Sequence, residues 1–240
     1  MTTEVSLTDV DALCDQLLDQ CPVATTPERE FLGCQYDLGL AWTHFPRGFG
    51  GLDAAPGLQK RVLERIAKAG GPIGGMKNPI GYGMCAPAVI MHGTDEQRAM
   101  TRPLFTNEHI WCQLFSEPGA GSDVASLACK AERDGDEWIL NGQKVWTTLA
   151  HISSFGLIIA RTDPDAAKHR GMTAFIVDMA APGVETRPLR QITGEAEFNE
   201  VYFTDVRVPD SMRVDEVGRG WGVSLATLMN ERVWIGGNTP

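Results

Sequence analysis

The chain has 240 residues, enough to bury one large core or two modest ones. Its 43% hydrophobic and 22% charged residues are those of an ordinary globular protein, with no low complexity and no run of like charges. A net charge of −10 argues against a general phosphate-backbone binder, which presents clustered Lys and Arg, so nucleic acid is not expected. A small anionic ligand held by local donors stays open.

The N-terminus carries acids where a secretory signal would carry basic residues and an apolar core. The longest apolar stretches, such as 157–160, fall far short of a membrane span. Six cysteines (Cys14, Cys21, Cys34, Cys85, Cys112 and Cys129) show no spacing of a zinc knuckle or redox pair. A cytoplasmic protein with reduced thiols and no metal is expected.

Apolar residues at Val10, Leu13, Cys14, Leu17, Leu18 and Cys21 predict a first helix. Thr26-Pro27 followed by acids predicts a second helix start. Leu58, Val62, Leu63 and Ile66 mark another amphipathic stretch, stopped by Gly70-Gly71. Thr94 with Gln97 has the spacing of a capping box. A glycine-rich connection, PRGFGGLDAAPG, covers 46–57. The segment GGMKNPIGYGM (74–84) reads equally as an irregular helix break or as the wall of an adaptable acyl channel.

Near Ile110 the period turns from helical to alternating. Asp134-Gly135 and Asn141-Gly142 are hairpin turn signals, predicting two hairpins in series around EWIL and QKVWTT. Residues 154–161, 172–179, 183–190 and 200–208 are further strands, rich in branched and aromatic side chains. Such spacing suggests a small barrel or sandwich. After Pro209 the helical period returns through Val223, Leu225, Ala226, Leu228 and Met229 to Arg232. The expected class is α+β, with an N-terminal α-helical bundle (1–109), a β-barrel-like middle domain (110–214) and a first helix (215–240) of a further helical domain. That helix has nothing to pack against within the chain, so a truncation or domain cut is expected at its end.

No dinucleotide glycine fingerprint and no phosphate loop occur. WCQLFSEPGAGSDVASL (111–127) is a strand-like run entering a tight glycine loop, where backbone amides with Ser116 and Ser122 suit an anion. On composition alone a plain surface turn fits it better. In KVWTT (144–148), Trp146 and Thr148 stand two apart and share a strand face, suiting a planar heteroaromatic ring. Taken alone, those residues favour a core tryptophan covering the sheet. The five histidines show no metal spacing, and Glu195 with Glu197 reads as a solvated loop pair.

Taken in order, FSEPGAGSDVASL, LNGQKVWTT, GLIIART, GMTAFIVDM, APGVETRPL and FNEVYFTDVRVPDSMRV resemble the flavin-binding segments of the acyl-CoA dehydrogenase family. FPRGFGGLDAAPGLQ and GWGVSLATLMNER extend the resemblance to about four-fifths of the chain. It implies FAD held by Gln113, Leu114, Phe115, Ser116, Gly121 and Ser122, with Trp146, Thr147 and Thr148 along the flavin ring. Ser122 stands where the family contacts the thioester, and Arg232 matches an arginine near its active site.

The implied reaction is α,β-dehydrogenation of an acyl-CoA to a trans-2-enoyl-CoA, with electrons leaving to an electron-transfer flavoprotein. The family's catalytic glutamate comes from its third domain, so no catalytic residue is expected in this chain, which alone is expected to be inactive. A homo- or hetero-oligomer is implied for the full-length protein. Three alternatives stand beside this one: an acyl-CoA oxidase or flavin monooxygenase relative, a subunit that completes its site with a partner chain, and a non-enzymatic module.

Overall fold

The computed structural model describes residues 4–235. Residues 1–3 and 236–240, the outer ends of the expected first and third segments, lie outside the described residues.

Helix α1 (Leu7–Gln20) starts at Ser6, whose hydroxyl accepts from the Asp9 amide while the Asp9 carboxylate accepts from the Ser6 amide. It buries Val10, Cys14 and Leu17 against α2 (Glu28–Asp37) and α3 (Gln59–Lys68), sharing a core with Phe31, Leu40, Val62 and Ile66. This docking corrects one expectation about the cysteines. Cys21, just after α1, meets Cys34 of α2 in a disulfide, while Cys14, Cys85, Cys112 and Cys129 are free and buried. Thirteen positions separate the bonded pair, so only the packing of the two helices brings them together.

The glycine- and methionine-rich stretch forms a π-helical turn, Gly81–Cys85, running into α4 (Ala86–His92). Such turns widen a helix locally and recur at functional sites. Here Tyr82 donates its hydroxyl to the Ala41 carbonyl at 3.1 Å, and its ring lies 4.7 Å from that of Trp42. Two short helices follow, α5 (Asp95–Ala99), opened by the expected Thr94–Gln97 capping box, and α6 (Thr101–Phe105).

The β part is a single sheet. Its strands are β1 (Trp111–Leu114), β2 (Lys130–Asp134), β3 (Glu137–Thr148), β4 (Phe155–Arg161), β5 (Met172–Asp178), β6 (Val184–Leu189), β7 (Phe198–Pro209) and β8 (Arg213–Val214). The order β6-β7-β3-β2-β4-β5-β8 is open, not a closed barrel, with β1 parallel to the first half of β4 and β2 touching only its last residue. Thus β1 and β2 share one edge of β4, and the loop between them must leave the sheet and return.

Alternation along β4 and β5 divides the core. Leu157, Ile159, Ala174 and Ile176 face the helices, while Ile158, Ala160, Phe175 and Val177 pack with Trp138, Leu140, Val201 and Phe203 under the curled sheet. Contrary to the expectation that it has nothing to pack against, helix α7 (Gly220–Ile235) lies on β5, α4 and the π turn and buries Val223, Ser224 and Thr227. Gly220 is required at its start, because a Cβ there would stand 2.8 Å from the Thr173 backbone.

The second expected hairpin is not made. Asn141-Gly142 lies inside β3, because β7 pairs with β3 along its whole length. Two bulges absorb the mismatch. Leu140 pairs with Val206 and Gly142 with Phe203, so β7 carries an extra residue; Lys144 pairs with Val201 and Thr147 with Asn199, so β3 carries the next one.

Among the described residues no helix is long and apolar enough to cross a membrane, and no cluster of His, Cys, Asp or Glu could hold a metal.

Candidate functional site

A cleft of about 750 Å³ opens between the glycine loop after β1, the end of β3, the π turn and α7. Gln113, Phe115, Ser116, Gly121 and Ser122 form one wall, and Val145, Trp146, Thr148 and Phe198 a second. Pro79 and Ile80 just before the π turn and Met84 within it, with Leu228 and Glu231 from α7, close it. The volume is of the size that takes a cofactor-scale ligand.

The glycine loop is held from beneath. The Ser116 carbonyl accepts from the Val145 amide at 2.9 Å, and Glu117 and Ala120 exchange backbone bonds at 2.9 and 3.1 Å, tightening the Pro118-Gly119 turn. Lys144 is fully buried, and its Nζ donates to the Phe115 carbonyl at 3.1 Å and to Glu117 Oε1 at 2.8 Å. Glu117 also accepts from the amides of Ala128 and Cys129 at 2.6 and 3.0 Å. Burial pushes the neighbouring Cys129 thiol up to about 11, so it stays protonated and inert.

On the open side the polar groups have no partners. The Gln113 amide and the hydroxyls of Ser116, Ser122 and Thr148 make no hydrogen bond with any described residue, and all four line the cleft. A Cβ at Gly121 would meet nothing within 4 Å, so protein packing does not demand glycine there. A ligand approaching the backbone would.

Trp146 owes its position to the β3 bulge. Its φ is 60°, in the left-handed region, and its side chain is 60% exposed with the Phe198 ring edge-on at 6.0 Å. Holding a residue other than glycine there costs on the order of 1–2 kcal/mol. Trp146 and Thr148 do face the same cleft, but through the bulge, not through simple alternation.

Other sequence candidates fall elsewhere. Leu114 is fully buried under the sheet, so only its backbone is near the loop. Thr147 is buried with its hydroxyl unpartnered, turned away from the cleft by the same bulge. Arg232 is exposed and does not line the cleft; its neighbour Glu231 does. Glu195, in an exposed turn, accepts from the Thr193 hydroxyl at 3.2 Å. His92 pairs with Asp215 at 2.7 Å, joining α4 to the approach to α7.

Sequence reasoning missed Lys144, Glu117 and Glu231. A lysine inside an apolar strand was the available signal for the first. Glu231 is the only ionisable side chain lining the cleft among the described residues. Any anion there must therefore be held by neutral donors, the amides and hydroxyls of the glycine loop. The donors, the indole and the phenyl edge fit a flavin with its pyrophosphate.

Residues 112–206 match the family model described as acyl-CoA dehydrogenase, middle domain. The chain is 47% identical over 215 residues to acyl-CoA dehydrogenase FadE34 of Mycobacterium tuberculosis, covering 88% of this chain and 29% of that protein. To acyl-CoA dehydrogenase IpdE1 of the same organism it is 42% identical over 195 residues, covering 81% and 50%. Among solved structures, the Tcur3481-Tcur3483 steroid ACAD matches with a TM-score of 0.70 at 28% identity, covering 95% of this chain and 62% of that one. The ChsE4-ChsE5 complex of Mycobacterium tuberculosis matches with a TM-score of 0.68 at 29% identity, covering 97% and 62%. These likenesses, with the cleft they surround, define a flavoprotein dehydrogenase class. The chain belongs to the acyl-CoA dehydrogenase family, and it spans between 29% and 50% of the length of these two curated relatives.

Proposed function

We propose that the chain is the flavin-cradling part of an enzyme that removes hydrogen from the α and β carbons of an acyl-CoA thioester, giving a trans-2-enoyl product. The observation carrying this reading is the convergence of four unpartnered polar side chains and an exposed indole on one cleft. FAD, when bound, supplies the hydride acceptor. Ser116, Ser122 and the loop amides hold its pyrophosphate and polar ring edge, while Trp146 and Thr148 flank the ring. The apolar wall of Ile80, Met84 and Leu228 excludes water and receives the acyl group.

Two sources of the base are distinguishable. The family resemblance implies a base outside this chain. The presence of Glu231 in the cleft favours a carboxylate from α7, whose Oε accepts the α proton. Further partners under this reading are the acyl-CoA itself, an electron-transfer flavoprotein and a second subunit of the same or a related chain. The steroid ACAD and the ChsE4-ChsE5 complex support a bulky acyl group and a heteromeric assembly.

The test is turnover by the FAD-loaded protein with acyl-CoAs of increasing bulk, using an artificial electron acceptor, with the product identified by mass. An enoyl-CoA two mass units below the substrate appears if Glu231 supplies the base, and no product forms if the base lies outside this chain. Oxygen consumption in place of acceptor reduction would point to an oxidase. Where product forms, Glu231→Gln abolishes it if α7 supplies the base; turnover by that variant excludes Glu231, and a wild-type chain without turnover favours a base outside this chain.

A further inference from the structure

The loop between β1 and β2 leaves the sheet at Phe115 and returns at Cys129, and one side-chain pair spans its neck. Lys144 Nζ holds the outgoing strand by the Phe115 carbonyl, and its partner Glu117 holds the returning strand by the amides of Ala128 and Cys129. Lysine is almost never fully buried unless paired, and this one has no exposed surface, while Glu117 keeps 7% of its side chain accessible. Four hydrogen bonds thus tie the outgoing and returning strands from the underside of the neck. The Gln113, Ser116 and Ser122 side chains above it are left free and face the cleft.

We infer that the buried Lys144–Glu117 pair is a positioning clasp, closing the neck of the 115–129 loop so that its donors stand ready for a flavin before the flavin arrives. The inference rests on the flavin reading of the cleft. A clasp of two charges suits this task better than apolar packing does. Its four hydrogen bonds fix the direction of the strand at both ends, whereas apolar contacts tolerate sliding. Lys144 immediately precedes Val145, whose amide holds the Ser116 carbonyl, and stands two residues before Trp146. The same short segment therefore sets the loop and the indole wall relative to each other. Neither Lys144 nor Glu117 lines the cleft, so both act through the loop and not on the ligand.

The test is equilibrium FAD binding to the purified chain, read by flavin fluorescence and by the flavin visible band, alongside a urea midpoint for each variant. Lys144→Met weakens FAD binding roughly tenfold or more, because the loop donors lose their preset arrangement. That variant also strands the Glu117 charge, so Lys144→Met/Glu117→Gln separates stability from positioning. The double variant removes the unpaired charge and keeps an acceptor for the returning strand, but leaves Phe115 untethered. It is expected to regain most of the lost urea midpoint without regaining FAD affinity, and to show a shifted flavin band. Lys144→Arg, which retains a donor, is expected to bind more tightly than Lys144→Met. Wild-type FAD affinity in the double variant, with an unshifted band, would overturn the clasp. If Lys144→Met does not fold, the double variant alone decides. If the wild-type chain binds no FAD, the flavin reading itself falls, an outcome distinct from equal binding by all variants.

Discussion

The β3–β7 pair carries two bulges of opposite sense, and only one of them serves a cleft. At the first, the Asn141 side chain accepts from the Asp205 amide and donates to the Asp205 carboxylate, each at 3.0 Å, so the defect is closed on itself. At the second, Trp146 takes a left-handed backbone and turns a largely exposed indole to solvent, with the Phe198 ring edge-on to it. The same local irregularity is a sealed structural kink in one place and a ligand wall in the other. What differs is the satisfaction of its polar groups and the exposure of its apolar ones.

Substitutions can break this contrast, and their expected effects fall in a definite order. Lys144→Met, beneath the second bulge, leaves Glu117 as an unpaired buried carboxylate and is expected to cost about 3–5 kcal/mol in urea denaturation. Gly142→Ala, beside the first, would place a Cβ 2.7 Å from the Cys129 Cα. A cost of about 2 kcal/mol is expected, read the same way.

Away from both bulges, Asp210 accepts from the Trp138 indole and from Arg213, which with that hydrogen bond hold its carboxyl down to about 2. Because the folded value lies below the ordinary 3.8, this contribution is complete above about pH 5 and is lost as pH falls from 3.8 through 2. Acid denaturation midpoints should show it as a difference between wild type and Asp210→Asn, on the order of 1–2 kcal/mol after solvent screening. Asn141→Ala removes the reciprocal pair at an exposed position and is expected to cost about 1 kcal/mol while leaving FAD affinity unchanged.

Much of this organisation was legible in the sequence. The capping box at Thr94 and the apolar stripes of α1 and α3 are local signals, and they define those helices as expected. The period change near Ile110 coincides with β1. What failed depended on distant partners. Asn141-Gly142 has the residues of a tight turn, but Phe203 and Val206 of β7 lie alongside and keep β3 running. Cys21 and Cys34 bear no recognisable spacing and meet only when α1 docks on α2. Trp146 lines the cleft on the face expected for it, yet its exposure comes from the bulge, and the same bulge buries Thr147. Glu231 and Lys144 escaped notice because a lone charge in a helix or strand is usually solvated, and only packing shows one in a cleft and the other at zero exposure.

The central claim is that the unpartnered donors and the indole form a flavin cradle, and Trp146→Gly tests it at the smallest cost in stability. Glycine is at ease at a φ of 60°, so relief of backbone strain should offset the lost Phe198 contact and keep stability within about 0.5 kcal/mol of wild type. The decisive measurement is the visible spectrum of the wild-type and Trp146→Gly chains after incubation with FAD and desalting. A retained flavin band in wild type that is lost or strongly reduced in the equally folded variant is the predicted result. A folded wild-type chain that emerges colourless, or a variant that keeps the band unchanged, would contradict it.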